Sequence, residues 1–302
     1  MSKHSPVEIR LCDLTELKKK AENFLLPQSD RKSLSGFGSV YSPFKSRGLD
    51  FQEVRAYQPG DDIRQIDWHV TAKYGKPFTK LYTEEKERTV FFVVDLRQDM
   101  FFATHGDFKA IAAARMAALM AAMADHQHDK IGYLLLTDTG IFSSGKSDLD
   151  MLSPFLNDMV SFHKKKTHAG SWTQILHFLT QLLPAGSFVF LFSDFHDWQP
   201  EHSALLANIS DKNTFLFVSL YDLLETTLPD DTLSFSDGTH TVVVTAEDKK
   251  THQQFISQWQ QQQTTLQQVA NKYEWGYLPV ATHTDYLSEL IHFCFGEITD
   301  AT

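Results

Sequence analysis

Thr89-Val-Phe-Phe-Val-Val-Asp95, Ile131-Gly-Tyr-Leu-Leu-Leu136, Phe188-Val-Phe-Leu-Phe-Ser193 and Thr214-Phe-Leu-Phe-Val-Ser219 are the stretches that decide how this chain folds. Each is a short run of β-branched, aromatic and leucine side chains with almost no polar break. A strand with one wet face alternates apolar and polar residues, whereas a strand covered on both faces does not. The runs therefore read as central parallel strands. Longer amphipathic segments lie between and after them, at about 107–126, 148–162, 172–183, 201–210, 251–273 and 284–295. This alternation predicts an α/β domain with a doubly wound, mostly parallel sheet. Thr137-Asp-Thr-Gly140 reads as a tight turn into an antiparallel edge strand near Ile141–Ser143, and Ser236-Asp-Gly-Thr239 as a second hairpin turn. The Gln-rich stretch 258–263 stays helical in this reading, because Phe255, Trp259, Leu266, Val269 and Tyr273 keep a helical spacing.

The chain has 302 residues, enough for one large domain or a core domain with an extra arm. With 42% hydrophobic residues, 24 Phe and 5 Trp it can bury a core, which excludes general disorder. No stretch reaches the roughly 20 apolar residues of a membrane helix. The best candidate, Ala110–Ala124, is interrupted by Arg115. Pro6 and Glu8 stand where an export signal would be apolar, and Cys12 and Cys294 read as two reduced thiols, so the expected location is cytoplasmic. A net charge of −10 argues against general affinity for nucleic acid. Residues 1–90 hold 16 basic and 13 acidic side chains and residues 91–302 hold 12 and 25, so the composition shifts near residue 90.

Before that shift the pattern is different. One helix is predicted at Leu14–Leu26, stopped by Pro27, and a stretch rich in Ser, Gly and Pro follows. Residues 1–88 are expected to form an N-terminal helix and arm, and residues 89–302 the sheet domain. The densest piece of the arm is Arg55-Ala-Tyr-Gln-Pro-Gly-Asp-Asp-Ile-Arg-Gln-Ile-Asp-Trp68. Pro59-Gly60 forces a turn, Asp61 can cap a helical turn, and Ile63, Ile66 and Trp68 are expected to anchor the segment on the body. Arg55, Arg64, Asp61, Asp62 and Asp67 are placed to exchange charge-assisted hydrogen bonds.

Arg55, Tyr57, Pro59-Gly60-Asp61-Asp62, Arg64, Ile66-Asp67-Trp68 and Ala72, followed by Pro77, Lys80, Glu84-Glu85 and Arg88 ahead of a strand ending in Asp95, resemble the motif of the bacterial family labelled domain of unknown function 58. Lys73 stands where that family more often has Arg. The resemblance implies a von Willebrand factor A-like body with an antiparallel edge strand. It also implies an accessory protein, not an enzyme, that works with a MoxR-type AAA+ ATPase on a client protein.

A-type domains commonly hold Mg²⁺ at the carboxyl edge of the sheet, through a DxSxS sequence, a Thr and a further Asp. Asp95 matches the first Asp, Thr173 the Thr and Asp194 the last Asp, but Arg97 and Asp99 replace the two serines. A guanidinium then stands where a hydroxyl ligand is needed. The favoured reading is a metal-free cluster of Arg97 with Asp95 or Asp194, which serves as a partner-binding edge, rather than a Mg²⁺ site.

The competing reading is a nucleotide-binding protein. Gly140-Ile-Phe-Ser-Ser-Gly-Lys-Ser147 fits the P-loop expression and follows a strand. A phosphate cradle needs small residues with converging N–H groups, however, and Ile141-Phe142 reads as an edge strand. Gly36-Phe37-Gly38 lacks a third Gly. Among 14 His there is no HExxH, and Ser193-Asp194 with His196 is the one histidine cluster near a predicted sheet edge, read as structural.

Overall fold

A computed structural model of the chain describes residues 4–22, 50–58, 66–83, 89–138, 140–162, 170–210, 212–226, 233–236, 241–244 and 249–295. They belong to two compact units, one of residues 1–44 and 88–302 and one of residues 45–87. The first helix, α1 (Leu11–Glu22), belongs to the larger unit: Leu14, Leu17 and Ala21 are buried in its core. The expected piece 1–88 is thus divided, because these residues repeat at helical spacing and give α1 one apolar stripe to bury.

The smaller unit is an antiparallel hairpin of β1 (Asp50–Ala56) and β2 (Phe78–Thr83), with α2 (Trp68–Tyr74) between the strands in sequence. The Asp67 carboxylate caps α2 by accepting from the N–H groups of His69 and Val70, at 2.9 and 3.1 Å. Gly75 ends the helix at φ +68°, a left-handed conformation that costs glycine little. Tyr57 N–H donates to Pro77 O, and Asp67 N–H to Phe78 O, tying the motif's flanks to β2.

The larger unit is a six-stranded sheet of β3 (Thr89–Asp95), β4 (Lys130–Thr137), β5 (Gly140–Ser143), β6 (Phe188–Ser193), β7 (Thr214–Tyr221) and β10 (Gly276–Ala281). Its order is β10-β7-β6-β3-β4-β5, parallel throughout except for the antiparallel edge strand β5. A separate hairpin, β8 (Leu233–Ser236) with β9 (Thr241–Val244), lies between β7 and β10 in sequence. The sheet is doubly wound, with helices packed on both of its faces. β10 was not read from the sequence. Its Gly-Tyr-Leu-Pro-Val-Ala has no continuous apolar run, as suits an outermost strand with Pro279 exposed.

Successive strand residues point to opposite faces, and each face has its own core. Val90, Phe92 and Val94 pack with α1, α3 (Lys109–His126), α4 (Leu152–Phe162) and α9 (Tyr286–Phe295). Phe91 and Val93 pack with α5 (Trp172–Leu182), Leu206 of α6 (Pro200–Ser210), and Leu266 and Ala270 of α8 (Lys249–Lys272). A four-residue helix, α7 (Leu223–Thr226), follows β7.

Every residue of α3 from Lys109 to Ala124 is buried. Its alanines favour helix and let the neighbouring elements approach closely. Gly132 on β4 is also fixed by packing, since a Cβ there would lie 2.4 Å from the Phe91 ring. No described helix is long and apolar enough to cross a membrane.

Candidate functional site: the carboxyl edge of the sheet

β3 and β6 are neighbours, but the chain leaves β3 toward α3 on one face and β6 toward α6 on the other. This is the switch point where a doubly wound sheet opens a crevice at its carboxyl edge. Asp95 ends β3, and the loop after β6 carries Asp194, Phe195, His196 and Asp197.

Arg97 holds two carboxylates at once. Its Nε donates to Asp95 Oδ1 at 3.0 Å and its Nη2 to Asp95 Oδ2 at 2.7 Å. The opposite edge donates to Asp197, from Nη1 to Oδ2 at 2.5 Å and from Nη2 to Oδ1 at 2.9 Å. Trp172 Nε1 adds a third bond to Asp197 Oδ1 at 3.0 Å, and Ser193 Oγ donates to Asp95 Oδ2 at 2.8 Å. Burial works against the Arg97 charge, but Asp197 and Asp95 outweigh it and raise the guanidinium further. Complete burial pushes the Asp95 carboxyl up, with Arg97 and Ser193 pulling it back. Both partners are opposed by burial, but Arg97 gains from two carboxylates at once, whereas Asp95 is fully buried and shares its one guanidinium with Asp197. Burial likewise opposes the Asp197 charge, and Arg97 prevails and holds it below the usual range.

A second cation serves Asp194. Lys109 Nζ, at the head of α3, donates to Asp194 Oδ2 at 2.6 Å and to Glu225 Oε1 at 2.8 Å. His196 reaches Asp194 Oδ1 through Nδ1 at 3.0 Å and lies 3.4 Å from Asp99 through Nε2. Burial would raise Asp194, but His196 and Lys109 together hold it well below the ordinary carboxylate range. Lys109 is raised, since Asp194 and Glu225 outweigh its burial. The bond to Asp194 raises His196.

The loop that parts Asp194 from Asp197 turns at Phe195, whose φ of +54° is uncommon for an aromatic residue. Three contacts hold it there. Its N–H donates to Ser193 Oγ, its carbonyl accepts from Gln262 Nε2, and its ring stacks on Trp172 at 5.4 Å.

The structure therefore brings Asp95, Arg97, Asp194 and Asp99 to one edge. Arg97 pairs with Asp95 as one of the two expected partners; Asp194 takes Lys109 and His196 instead, and Asp197 is the second ligand of Arg97. Thr173 is exposed at the start of α5, where its Oγ1 meets His202 Nε2 at 3.2 Å. The donor set does not fit Mg²⁺. Both Asp95 oxygens are engaged by Arg97 and Ser193, and a guanidinium lies within 2.7 Å of the first ligand.

The P-loop expression also meets a different backbone. Gly140–Ser143 is β5, paired with Leu134–Thr137, and α4 begins only at Leu152, so Gly145-Lys146-Ser147 is not followed by a helix N-terminus.

Of the arm motif, Pro59, Gly60, Asp61, Asp62, Ile63 and Arg64 lie outside the described residues. Arg55 is half-buried on β1. Trp68 is 67% exposed, so the expected burial of its ring is not observed. It occupies the first turn of α2, a helix with no buried residue.

Residues 53–265 match the family described as Protein of unknown function DUF58. The chain belongs to this family. The DUF58 chain is 32% identical over 88 residues to "Uncharacterized protein Mb1516" of Mycobacterium bovis and to "Uncharacterized protein Rv1480" of Mycobacterium tuberculosis. That stretch covers 29% of this chain and 28% of each relative. Among solved structures, it is similar to the conserved hypothetical protein BatB from Bacteroides thetaiotaomicron, at 12% identity and TM-score 0.39, covering 68% of this chain and 98% of that one. It is also similar to the SpRpn10 VWA domain, at 11% identity and TM-score 0.41, covering 71% of this chain and 100% of that one.

Proposed function

We propose that this DUF58 chain is a non-enzymatic, cytoplasmic protein-binding factor that works with a MoxR-type AAA+ ATPase on a client protein. One observation carries the reading: the acidic groups at the switch point are neutralised by cations of the chain itself. Asp95 and Asp197 share Arg97, and Asp194 is held by Lys109 and His196. A general base would need a carboxylate or imidazole free to take a proton, and a nucleophile would need such a base beside it. An edge of satisfied, preorganised charges suits recognition instead. The ATPase as partner rests on the family resemblance carried by residues 55–95.

The test is affinity capture of a purified MoxR-type ATPase by the full chain, with and without ATP. Retention of the ATPase, with no nucleotide turnover by the chain alone, is the expected result. Failure to retain it in any nucleotide state, together with hydrolysis by the chain itself, overturns the proposal.

A further inference from the structure

We propose that the outer edge of the Arg97 guanidinium, together with the Trp172 indole N–H, is a receptor for a side-chain carboxylate of the partner protein, and that Asp197 fills it as an internal stand-in. This rests on the partner-binding reading above and names the chemical group the partner presents.

The argument starts from the two edges of Arg97. The edge formed by Nε and Nη2 faces Asp95, which is fully buried and ends a central strand. That edge is architectural. The edge formed by Nη1 and Nη2 faces Asp197, whose side chain is 36% exposed and which lies in the loop between β6 and α6. Two parallel N–H bonds of that kind are the geometry by which arginine recognises a carboxylate. The indole of Trp172, itself fully buried, aims a third donor at the same oxygen. Three fixed donors thus converge on one anion position at the rim of the crevice, and the anion in it reaches solvent.

Exchange of one carboxylate for another keeps all three charge-assisted bonds, and the displaced Asp197 turns toward water. A cationic group has no such route, because the Asp197 oxygens are already taken by three donors and Asp95 is out of reach. The tethered Asp197 competes at a high effective concentration, so a free carboxylate binds weakly to the native chain. A partner that presents its carboxylate alongside further contacts overcomes that competition. Removing the Asp197 carboxylate leaves buried donors without an acceptor, which strengthens the demand for an incoming anion.

The experiment follows the Trp172 indole N–H resonance of the full chain by NMR, assigned with Trp172→Phe, during titration with sodium acetate against sodium chloride at equal ionic strength. In Asp197→Ala the resonance should move saturably with acetate, with a midpoint at least tenfold lower than in the unaltered chain and no response to chloride. An Asp197→Ala protein that melts as a folded protein but answers acetate no better than the unaltered chain overturns the inference. Should Asp197→Ala fail to fold, Asp197→Asn serves in its place, and the same tenfold criterion decides. Capture of the ATPase separates this inference from the one it rests on. Acetate binding without ATPase capture keeps the receptor and removes the accessory reading. ATPase capture with unchanged affinity in Asp197→Ala and Arg97→Lys keeps the accessory reading and removes the receptor.

Discussion

Replacing Lys109 by Met tests the electrostatics of the edge most directly. Methionine keeps most of the aliphatic stem that packs at the head of α3 and removes only the charge. The Lys109 side chain is 4% exposed and that of Asp194 7%, while Glu225 is 22% exposed and can turn to water. Removing one partner of a buried pair typically costs about 3–5 kcal/mol. Because Asp194 keeps His196 and a backbone N–H, the lower end, about 3 kcal/mol at neutral pH, is expected. The pH dependence fixes the cause. In the unaltered chain Asp194 is depressed, so its contribution is present above the unfolded carboxylate value of about 4 and is lost as pH falls through its folded value. Lys109→Met removes one of the two groups that hold the Asp194 carboxyl down and leaves His196, so that carboxyl should rise relative to the unaltered chain, and the stability difference between the two proteins should shrink as pH falls below the variant's own Asp194 value. Adding Asp194→Asn should recover most of the loss. Urea denaturation across pH measures all of this. A cost below about 1 kcal/mol at neutral pH, or one independent of pH, would refute the reasoning.

Three further outcomes are expected. Trp68→Ala should change stability by less than about 0.5 kcal/mol in thermal or urea unfolding, since the ring is mostly exposed. Asp67→Ala should cost about 1 kcal/mol by the same assay, through loss of the α2 cap. Lys146→Ala should leave nucleotide binding by equilibrium dialysis unchanged, because the residue follows an edge strand and precedes no helix N-terminus.

The sheet was legible because burial on both faces leaves a mark in the sequence. β3 and β6 coincide with their apolar runs, and α5, α6 and α8 lie within one or two residues of the expected segments. β1, β2 and β10 left no comparable mark, since hairpin and outermost strands need not be apolar on both faces. The site was legible in part. Asp95 and Arg97 are two residues apart and could be paired on paper, whereas Asp197 lies 100 residues from Arg97 and Lys109 85 residues from Asp194. Such pairs meet only in the fold. One signal was available: Lys109 is a single cation at the head of an alanine-rich helix too apolar to face water, and a lysine placed there needs an acid. Trp68 shows the opposite error: its place close behind Ile63 and Ile66 marks it as an anchor in the sequence, yet its ring is 67% exposed.

The two outer strands of the sheet have a bearing on how copies of this chain meet at high concentration. β5 offers four residues, about 13 Å of backbone, as a template for another strand. At the far side, β10 carries Pro279, which has no N–H to give to an added ladder. Neither margin invites a foreign strand, so growth of the sheet from molecule to molecule is discouraged at both ends.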